Sequence, residues 1–194
     1  LTISKSLPNN TGTVIIKHAN PCGVSIKKNH LQSYVAALKC DPISAFGGVV
    51  SCNYKVTKTI AEELNKLFLE VVIANNFDAD ALKILKTKKN LRLIDASKYI
   101  FKEDLKFISN NEEILVQSED IKKFDIKDFK VVSKKKPNTK QMKNLLFAFN
   151  ICRYVKSNAI VLASNETTTG IGSGQPSRLD SCKIAIEKMK KFVD

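Results

Sequence analysis

The sequence has few of the residues that define several common protein classes. It contains no tryptophan, two histidines and, among 32 basic residues, only three arginines. No apolar run reaches the about 18 residues of a membrane span, and the first residues lack the apolar core of a secretory signal. The five cysteines are odd in number and form no CxxC pair. These absences predict no membrane partner and favour a reduced, cytoplasmic protein over a disulfide scaffold.

The net charge of +13 has two interpretations. A basic surface can bind nucleic acid through counterion release, whereas lysines that are spread along a chain usually form a solvated surface. Proteins that bind bases and phosphates tend to use arginine forks and aromatic platforms, and the longest lysine run here is only 134–136. We therefore expect no nucleic-acid partner, although a positive field would attract phosphorylated small molecules.

Short apolar runs alternate with amphipathic segments along the 194 residues. This rhythm predicts the α/β class, with a mostly parallel mixed sheet flanked by helices. The length suits one domain or two small lobes, and we divide the chain into a first lobe, 1–130, and the beginning of an incomplete second lobe, 131–194. The predicted strands are 13–16, 46–51, 70–74, 91–95, 114–117, 129–132, 159–163 and 168–171; the predicted helices are 30–39, 57–68, 78–88, 140–156 and 176 to the last residue.

The most informative motif is KHANPCG, residues 17–23. It follows an apolar run and places a cation and an imidazole where a strand is expected to give way to a Pro/Gly turn, so that side chains can face a cleft. His18 is the best candidate general base because imidazole titrates near neutrality. Lys17 could donate a hydrogen bond to a developing oxyanion. Taken alone, a hydrogen-bonded histidine at a strand end and a solvated lysine are the commoner situation.

Three further motifs lie in predicted turns. The paired glycines of DPISAFGG, residues 41–48, would let a flat ligand approach backbone amides. The carboxamide of Asn158 could pair with an amide edge as donor and acceptor together. The GIGSGQPSR loop, 170–178, opens a helix whose free N–H groups suit an anion or a polar heterocycle, but Ser177 replaces the third glycine of a dinucleotide loop. The structural alternatives are loop geometry, a helix-ending asparagine and tight packing.

The sequence does not predict a metal site. His18 with Pro21 and Cys22 resembles part of the zinc deaminase signature. However, Asn20 stands where that signature needs glutamate, and no second cysteine follows Cys22 at the required spacing. Because the ligand set of a zinc ion cannot be assembled, we expect no zinc.

Read together and in order, these motifs, with EVVIA, LKILKTKKNLRLI and VKSNAIVLA, resemble the formyltransferase domain of the bifunctional AICAR transformylase/IMP cyclohydrolase family over nearly the whole chain. The resemblance implies cytidine-deaminase-like lobes without zinc. It implies formyl transfer from 10-formyltetrahydrofolate to the 5-amino group of AICAR, giving FAICAR and tetrahydrofolate in purine biosynthesis. It also implies a homodimer with active sites between subunits.

The resemblance implies a role for each matched residue. Lys17 and His18 match the catalytic pair, Asn158 matches the asparagine that orients the substrate, and Asn20 is a second substrate-binding candidate. Four residues match positions that line the folate pocket: Ile43, Gly47, Ser177 and Leu179. Because the family carries further segments on both sides, we expect this chain to belong to a longer enzyme and to be weakly active or inactive alone. A non-catalytic remnant or dimerisation module of the same fold is the alternative.

Overall fold

The computed structural model of the protein describes residues 1–100, 105–120, 122 and 124–193. No helix within these ranges has the length and apolar character needed to cross a bilayer. The strands are β1 (Gly12–Lys17), β2 (Asn20–Ile26), β3 (Gly48–Cys52), β4 (Leu69–Ala74), β5 (Arg92–Asp95), β6 (Leu105–Asn110), β7 (Glu113–Ser118), β8 (Ile160–Ser164) and β9 (Thr167–Gly172). The helices are α1 (Thr2–Ser6), α2 (His30–Cys40), α3 (Lys58–Asn65), α4 (Ala79–Leu85), α5 (Thr139–Cys152) and α6 (Arg178–Phe192), with a 3₁₀ turn at Ile126–Asp128.

Seven strands form one mixed sheet in the order β5-β4-β3-β1-β2-β9-β8. The predicted α/β class, with a mixed sheet flanked by helices, is confirmed. The parallel pairings are β3 with β4 and β4 with β5, as the βαβ rhythm of this region predicts. The four pairings that involve β1, β2, β8 and β9 are antiparallel, and tight turns account for two of them, β1 with β2 and β8 with β9.

The predicted Pro/Gly turn at 21–23 is wrong, because these residues belong to β2. The chain reverses earlier, in a two-residue turn at His18 and Ala19, whose φ angles are +50° and +60°. Positive φ at both turn residues matches the twist of a β-hairpin. Pro21 is tolerated near the start of β2, where the β1–β2 register shifts. Gly23 is required because a Cβ there would lie 2.0 Å from the carbonyl oxygen of Ala37 in α2.

Helices α2 and α6 lie side by side on one face of the sheet and press their backbones against it. A Cβ at Gly172 of β9 would lie 1.9 Å from the carbonyl oxygen of Ser181 in α6. Asp41, at the C-terminal end of α2, accepts a 2.6 Å hydrogen bond from Lys188 of α6. The two helices therefore occupy fixed positions relative to the ends of β2 and β9. The α6 helix ends at Phe192, and the last residue of the predicted helix lies outside the described residues.

Side-chain caps explain where several helices begin. Asp78 caps α4 by accepting from the N–H of Ala81 (2.7 Å), as the sequence predicts. Asn138 forms a reciprocal capping box with Gln141 at the start of α5. Thr57 precedes α3 as predicted but makes no side-chain cap; the Asp78 carboxylate accepts from the N–H of Lys58 instead (3.2 Å).

The opposite face of the sheet is covered by α1 and α5. Phe147 and Ile151 of α5 pack with Val14 and Val24 of the central strands and with Ile171 of β9. The chain after residue 130 thus contributes to the same core as the chain before it. Strand β9 also pairs with β2, at Ser25 and Thr167, so both proposed lobes share one sheet. The division at residue 130 stays a prediction.

A separate two-stranded hairpin is formed by β6 and β7. It confirms the predicted strand at 114–117 and adds a partner strand at Leu105–Asn110 that the sequence pattern does not reveal. The predicted strand at 129–132 is wrong: this segment follows the 3₁₀ turn without sheet pairing. Every residue of β6 and β7 is exposed.

Candidate functional site

Lys17, at the end of β1, is hydrogen-bonded to the loop that precedes β3. Its Nζ donates hydrogen bonds to the carbonyl oxygens of Phe46 and Gly47, each at 2.9 Å. Gly47 has φ +65°, and a Cβ at this position would lie 2.9 Å from Lys17 Nζ. The ammonium group has three donors, so one N–H remains after these two bonds. Lys17 is therefore a half-buried cation that is positioned by two hydrogen bonds.

His18 is exposed at the tip of the β1–β2 turn. No hydrogen bond to its imidazole is found among the residues that the structure describes. Its left-handed backbone conformation is that of the two-residue β1–β2 turn and is shared by Ala19. His18 is therefore not the hydrogen-bonded strand-end histidine that was the alternative to a general base.

The loop between α2 and β3 presents an apolar surface beside Lys17. Ile43 and Phe46 are 63% and 62% exposed, and the Phe46 ring lies 5.2 Å from the ring of Phe68, which precedes β4. The N–H of Gly47 donates to the carbonyl oxygen of Phe68 (2.8 Å). This bond joins the loop to the neighbouring strand and keeps the exposed apolar side chains together.

Asn20 connects the hairpin to the segment before β8. Its Oδ1 accepts from the backbone N–H of Lys156 at 2.8 Å. The carbonyl oxygen of Lys156 in turn accepts from the N–H of Gly174 (2.7 Å). The β1–β2 turn and the predicted turn at 170–178 are thus held together through residue 156. In this arrangement Asn20 acts as a structural link between them.

Asn158 directs one side of its carboxamide into the protein. Its Nδ2 donates to the carbonyl oxygens of Gln175 (2.9 Å) and Pro176 (2.8 Å). The reverse orientation would face two carbonyl oxygens with a third oxygen, so the placement of Nδ2 is fixed by its partners. Within the described ranges, Oδ1 makes no hydrogen bond. Asn158 therefore offers an acceptor, and the predicted pairing through donor and acceptor together is wrong.

The loop 170–178 ends at the start of α6. Ser177 caps this helix by accepting from the N–H of Leu179 at 3.1 Å. Leu179 is 63% exposed in the first helical turn. The backbone carbonyl of Asn158 accepts from the hydroxyl of Ser181 (2.7 Å), so α6 also supports the asparagine.

The sheet order brings all predicted site residues to one end of the sheet. That end holds the β1–β2 turn, the start of β3, the start of β8 and the end of β9. The hydrogen bonds from Lys17 to the 41–47 loop and from Lys156 to Asn20 join the three parts. The sequence did not reveal these two links, because each is a backbone contact without a motif.

Two clefts of the molecule lie elsewhere. One, of about 450 Å³, is at the opposite end of the sheet and is lined by Lys27, Lys28, Lys140 and Lys143. The other, of about 1060 Å³, lies beside α1 and α5 and includes only Ala19 from the hairpin turn. Neither of these two clefts includes His18 or Asn158 in its lining.

Burial makes Cys22, the cysteine of the KHANPCG motif, unreactive. Burial, reinforced by the negative charge of Asp41, raises the pKa of the Cys22 thiol to about 12. Burial likewise raises the pKa of Cys40 to about 11. Since the thiolate is the reactive form, neither residue is a nucleophile at neutral pH. No group of three His, Cys, Asp or Glu side chains suited to a metal occurs among the described residues; the absence of zinc stays a prediction.

Asp41 is a buried carboxylate near this site whose charged form is stabilised by hydrogen bonds. Burial alone would raise its pKa, but hydrogen bonds from Lys188 and from the N–H and hydroxyl of Ser44 outweigh it and hold the pKa of Asp41 below its usual value of 3.8. Among the described residues, Cys22 and Cys40 also face Asp41, and both thiols are neutral at neutral and acidic pH.

The Asp41 interaction gives a pH-dependent stability. Because its pKa is lower in the folded state, its contribution is complete above the unfolded value of 3.8 and is lost as pH falls through the folded value. We expect Asp41→Asn to lower the free energy of unfolding by about 1–3 kcal/mol at pH 7. The difference from wild type should shrink between pH 4 and pH 3 in urea unfolding experiments. A difference of the same size at pH 7 and pH 3 would contradict this prediction.

The fold and the site together define a class of protein. It is an α/β protein in which a lysine, a histidine and an asparagine lie at one end of the sheet. The sequence model of the AICARFT/IMPCHase bienzyme family matches residues 2–188, and the chain belongs to this family.

Its relatives include proteins named bifunctional purine biosynthesis protein PurH. The one from Aquifex aeolicus (strain VF5) is 45% identical over 185 residues, which cover 95% of this chain and 36% of that protein. That of Limosilactobacillus reuteri (strain DSM 20016) is 42% identical over 183 residues, covering 93% and 36%. That of Parvibaculum lavamentivorans (strain DS-1) is 45% identical over 181 residues, covering 90% and 33%. The chain thus spans about a third of the length of these relatives.

Proposed function

We propose that the chain is part of a phosphoribosylaminoimidazolecarboxamide formyltransferase. This enzyme would transfer a formyl group from 10-formyltetrahydrofolate to the 5-amino group of AICAR, as a step of purine biosynthesis. Membership of the family supports this reaction class. The observation that carries the proposal is the placement of an exposed His18 next to a positioned Lys17, at the sheet end that also holds Asn158.

His18 is proposed as the proton acceptor. The AICAR amine is a weak nucleophile because its lone pair is delocalised into the ring and carboxamide. As its nitrogen bonds to the formyl carbon, an N–H proton passes to the imidazole. The bond between the formyl carbon and N10 of the folate then breaks, and N10 takes up a proton. An imidazole exposed on a two-residue turn can reach a substrate without moving other elements of the sheet.

Lys17 is proposed to stabilise the oxyanion that forms on the formyl group. Two of its three N–H donors are used by the carbonyl oxygens of Phe46 and Gly47, which fix the direction of the third. A donor that is held before the reaction stabilises developing charge without reorganisation. Asn158 would accept a hydrogen bond from an N–H group of AICAR through Oδ1, and so orient the amine.

The folate co-substrate is proposed to lie on the apolar surface next to Lys17. Ile43 and Leu179 are both 63% exposed, and Phe46 adds an aromatic face. A planar ring that covers these side chains would remove apolar area from water. Gly47 would allow the ring to approach the backbone closely, and Ser177 would hold the first turn of α6 in place.

The test is a single-turnover reaction of the full-length protein with AICAR and 10-formyltetrahydrofolate. We expect FAICAR and tetrahydrofolate to form in amounts stoichiometric with enzyme. A full-length protein that binds AICAR but forms no His18-dependent product would discard the formyltransferase and support a non-catalytic module of the same fold.

We further propose that the protein is a cytoplasmic homodimer. All five cysteines are free thiols, which fits a reducing compartment. The β6–β7 hairpin supports a dimer because both of its faces carry exposed apolar side chains, with Phe107 and Val116 on one face and Ile108 and Leu115 on the other. An isolated two-stranded hairpin is marginally stable in water, so a partner surface over these side chains would stabilise it.

Phe107→Asp tests this dimer surface. Phe107 is 64% exposed, and loss of a buried aromatic side chain costs about 1.5–3 kcal/mol. The dimer dissociation constant should therefore rise about 10- to 100-fold in sedimentation experiments. Ser109→Asp is the matched control, because it adds the same charge to the same face without removing apolar area. Unchanged dimerisation of Phe107→Asp would exclude the hairpin as the contact.

A further inference from the structure

The ion pair between Asp41 and Lys188 differs from the other ion pairs of the described residues. Its carboxylate is 3% exposed, and its Oδ2 lies 2.6 Å from Lys188 Nζ. In the other four ion pairs the carboxylate side chain is 33% to 63% exposed, and three of those four are local pairs within one helical turn. A buried carboxylate is retained only when its hydrogen bonds compensate for lost hydration. The pair therefore constrains the two segments that it joins.

The Asp41 side of the pair controls the loop that holds Lys17. Asp41 Oδ1 accepts from the N–H of Ser44 (3.0 Å), and its backbone carbonyl accepts from the N–H of Ala45 (3.2 Å). The loop continues directly to Phe46 and Gly47, whose carbonyl oxygens bind Lys17. The position of the Lys17 ammonium group thus depends on a loop whose conformation is stabilised by hydrogen bonds to Asp41.

The Lys188 side of the pair belongs to the helix that supports Asn158. Lys188 lies about three helical turns after Ser177 on α6. The same helix donates from Ser181 to the backbone carbonyl of Asn158 and exposes Leu179 in its first turn. Because α6 packs on the glycines of β9 without an intervening side chain, a displacement of the helix would be transmitted to the asparagine.

We propose that Asp41 and Lys188 form a positioning pair, which sets the spacing between the Lys17 side and the Asn158 side of the candidate active site. This inference rests on the proposed formyl transfer. The Asp41 carboxylate is too deeply buried to contact a substrate, so it acts through the loop 41–47. The pair joins the two segments that carry the proposed folate contacts Ile43 and Leu179, and its loss should therefore affect use of the folate co-substrate most.

The test compares substitutions on one helix of the full-length protein. Lys188→Met removes the ion pair with the buried Asp41 carboxylate, and Lys188→Arg keeps a donor and a charge. Lys183→Met removes an exposed ion pair with Asp180 from the same helix. We expect Lys188→Met to lower kcat/KM for 10-formyltetrahydrofolate by about 10- to 100-fold, because small displacements of positioned groups have effects of this size. The KM for the folate should rise more than the KM for AICAR. Lys188→Arg and Lys183→Met should stay within about threefold of wild type.

The two hypotheses fail in different ways. A wild-type enzyme without formyl transfer overturns the reaction and this inference with it. An active wild type with unchanged kinetics in folded Lys188→Met overturns the positioning role alone, as does an equal loss in Lys183→Met. If Lys188→Met does not fold, the double variant Asp41→Asn/Lys188→Met, which has no unpaired buried carboxylate, provides the same kinetic comparison. The folate-specific rise in KM is the result that a merely structural role would not produce.

Discussion

Replacing His18 by alanine is expected to lower the single-turnover rate of formyl transfer by about 10²- to 10⁴-fold, the usual contribution of general base catalysis. The imidazole is exposed on a turn, and no hydrogen bond to it is found in the part of the chain that the structure describes. Its removal should leave the fold intact. Rapid quenching, with FAICAR measured against time in the full-length protein, checks this expectation. Binding of AICAR should change little, because His18 is proposed to act during the chemical step.

His30→Ala is the matched control for this experiment. His30 is the only other histidine of the chain, and it begins α2 at the other end of β1. Its ring stacks on Tyr54 with centroids 4.0 Å apart, and its Nε2 lies 2.8 Å from the carbonyl oxygen of Asn10. We expect its loss to reduce stability and to leave the rate within a few-fold of wild type. Equal losses in both variants, or an unchanged rate in His18→Ala, would contradict a base at position 18.

Added imidazole provides a second measurement on His18→Ala. Since the deleted ring leaves an exposed position, a small base from solution can occupy it. The rate of His18→Ala should increase with imidazole concentration, whereas the rate of Lys17→Ala should not. Lys17 is held by two carbonyl oxygens, and imidazole cannot replace a positioned cation.

The sequence located the parts of the candidate site because each part is a local signal. A polar pair after an apolar strand and a glycine-rich loop before a helix can be recognised within about ten residues. The α/β class followed from the same alternation of strand and helix. The grouping of the four motifs at one sheet end, however, depends on pairings such as β2 with β9, which join residues far apart in sequence. Only the resemblance to a family suggested that grouping.

The predicted turn at 21–23 and the predicted pairing of Asn158 differ from the structure for specific physical reasons. Pro21 and Gly23 are turn residues by propensity, but β2 is central in the sheet, and the close approach of α2 requires a glycine there. The carboxamide of Asn158 has four possible hydrogen bonds in isolation, and two carbonyl oxygens of the 170–178 loop use both of its N–H groups. Tertiary contacts decided both cases. No local pattern contains that information.

Lys188 is a residue that no sequence motif could have identified. It is one of many lysines in a lysine-rich chain, and nothing around it in sequence distinguishes it from Lys183 or Lys190. Its importance appears only when Asp41, 147 positions away, is found buried against it. In a chain with so many lysines, the sequence alone does not distinguish the lysines that have specific partners from those that are solvated.

Gly23→Ala should be the most destabilising single change considered. Glycine inside a strand is normally less favourable than alanine by about 0.5–1 kcal/mol, so propensity alone predicts a gain in stability. The structure predicts the opposite, because the new Cβ would lie 2.0 Å from the carbonyl oxygen and 2.9 Å from the carbonyl carbon of Ala37. Both are backbone atoms of α2, so the whole helix must move. We expect the free energy of unfolding to fall by at least about 3 kcal/mol.

Gly174→Ala separates this clash from the general effect of replacing a glycine. A Cβ at position 174 would meet nothing closer than Lys156 Cδ at 4.0 Å, but the residue has φ +69°. Its substitution should therefore cost only the conformational strain of about 1–2 kcal/mol. Urea unfolding of both variants in the full-length protein measures the difference. If the two substitutions destabilise equally, helix α2 does not pack its backbone on Gly23. The placement of Asp41, at the end of that helix, and of the loop that holds Lys17 would then have to be abandoned as well.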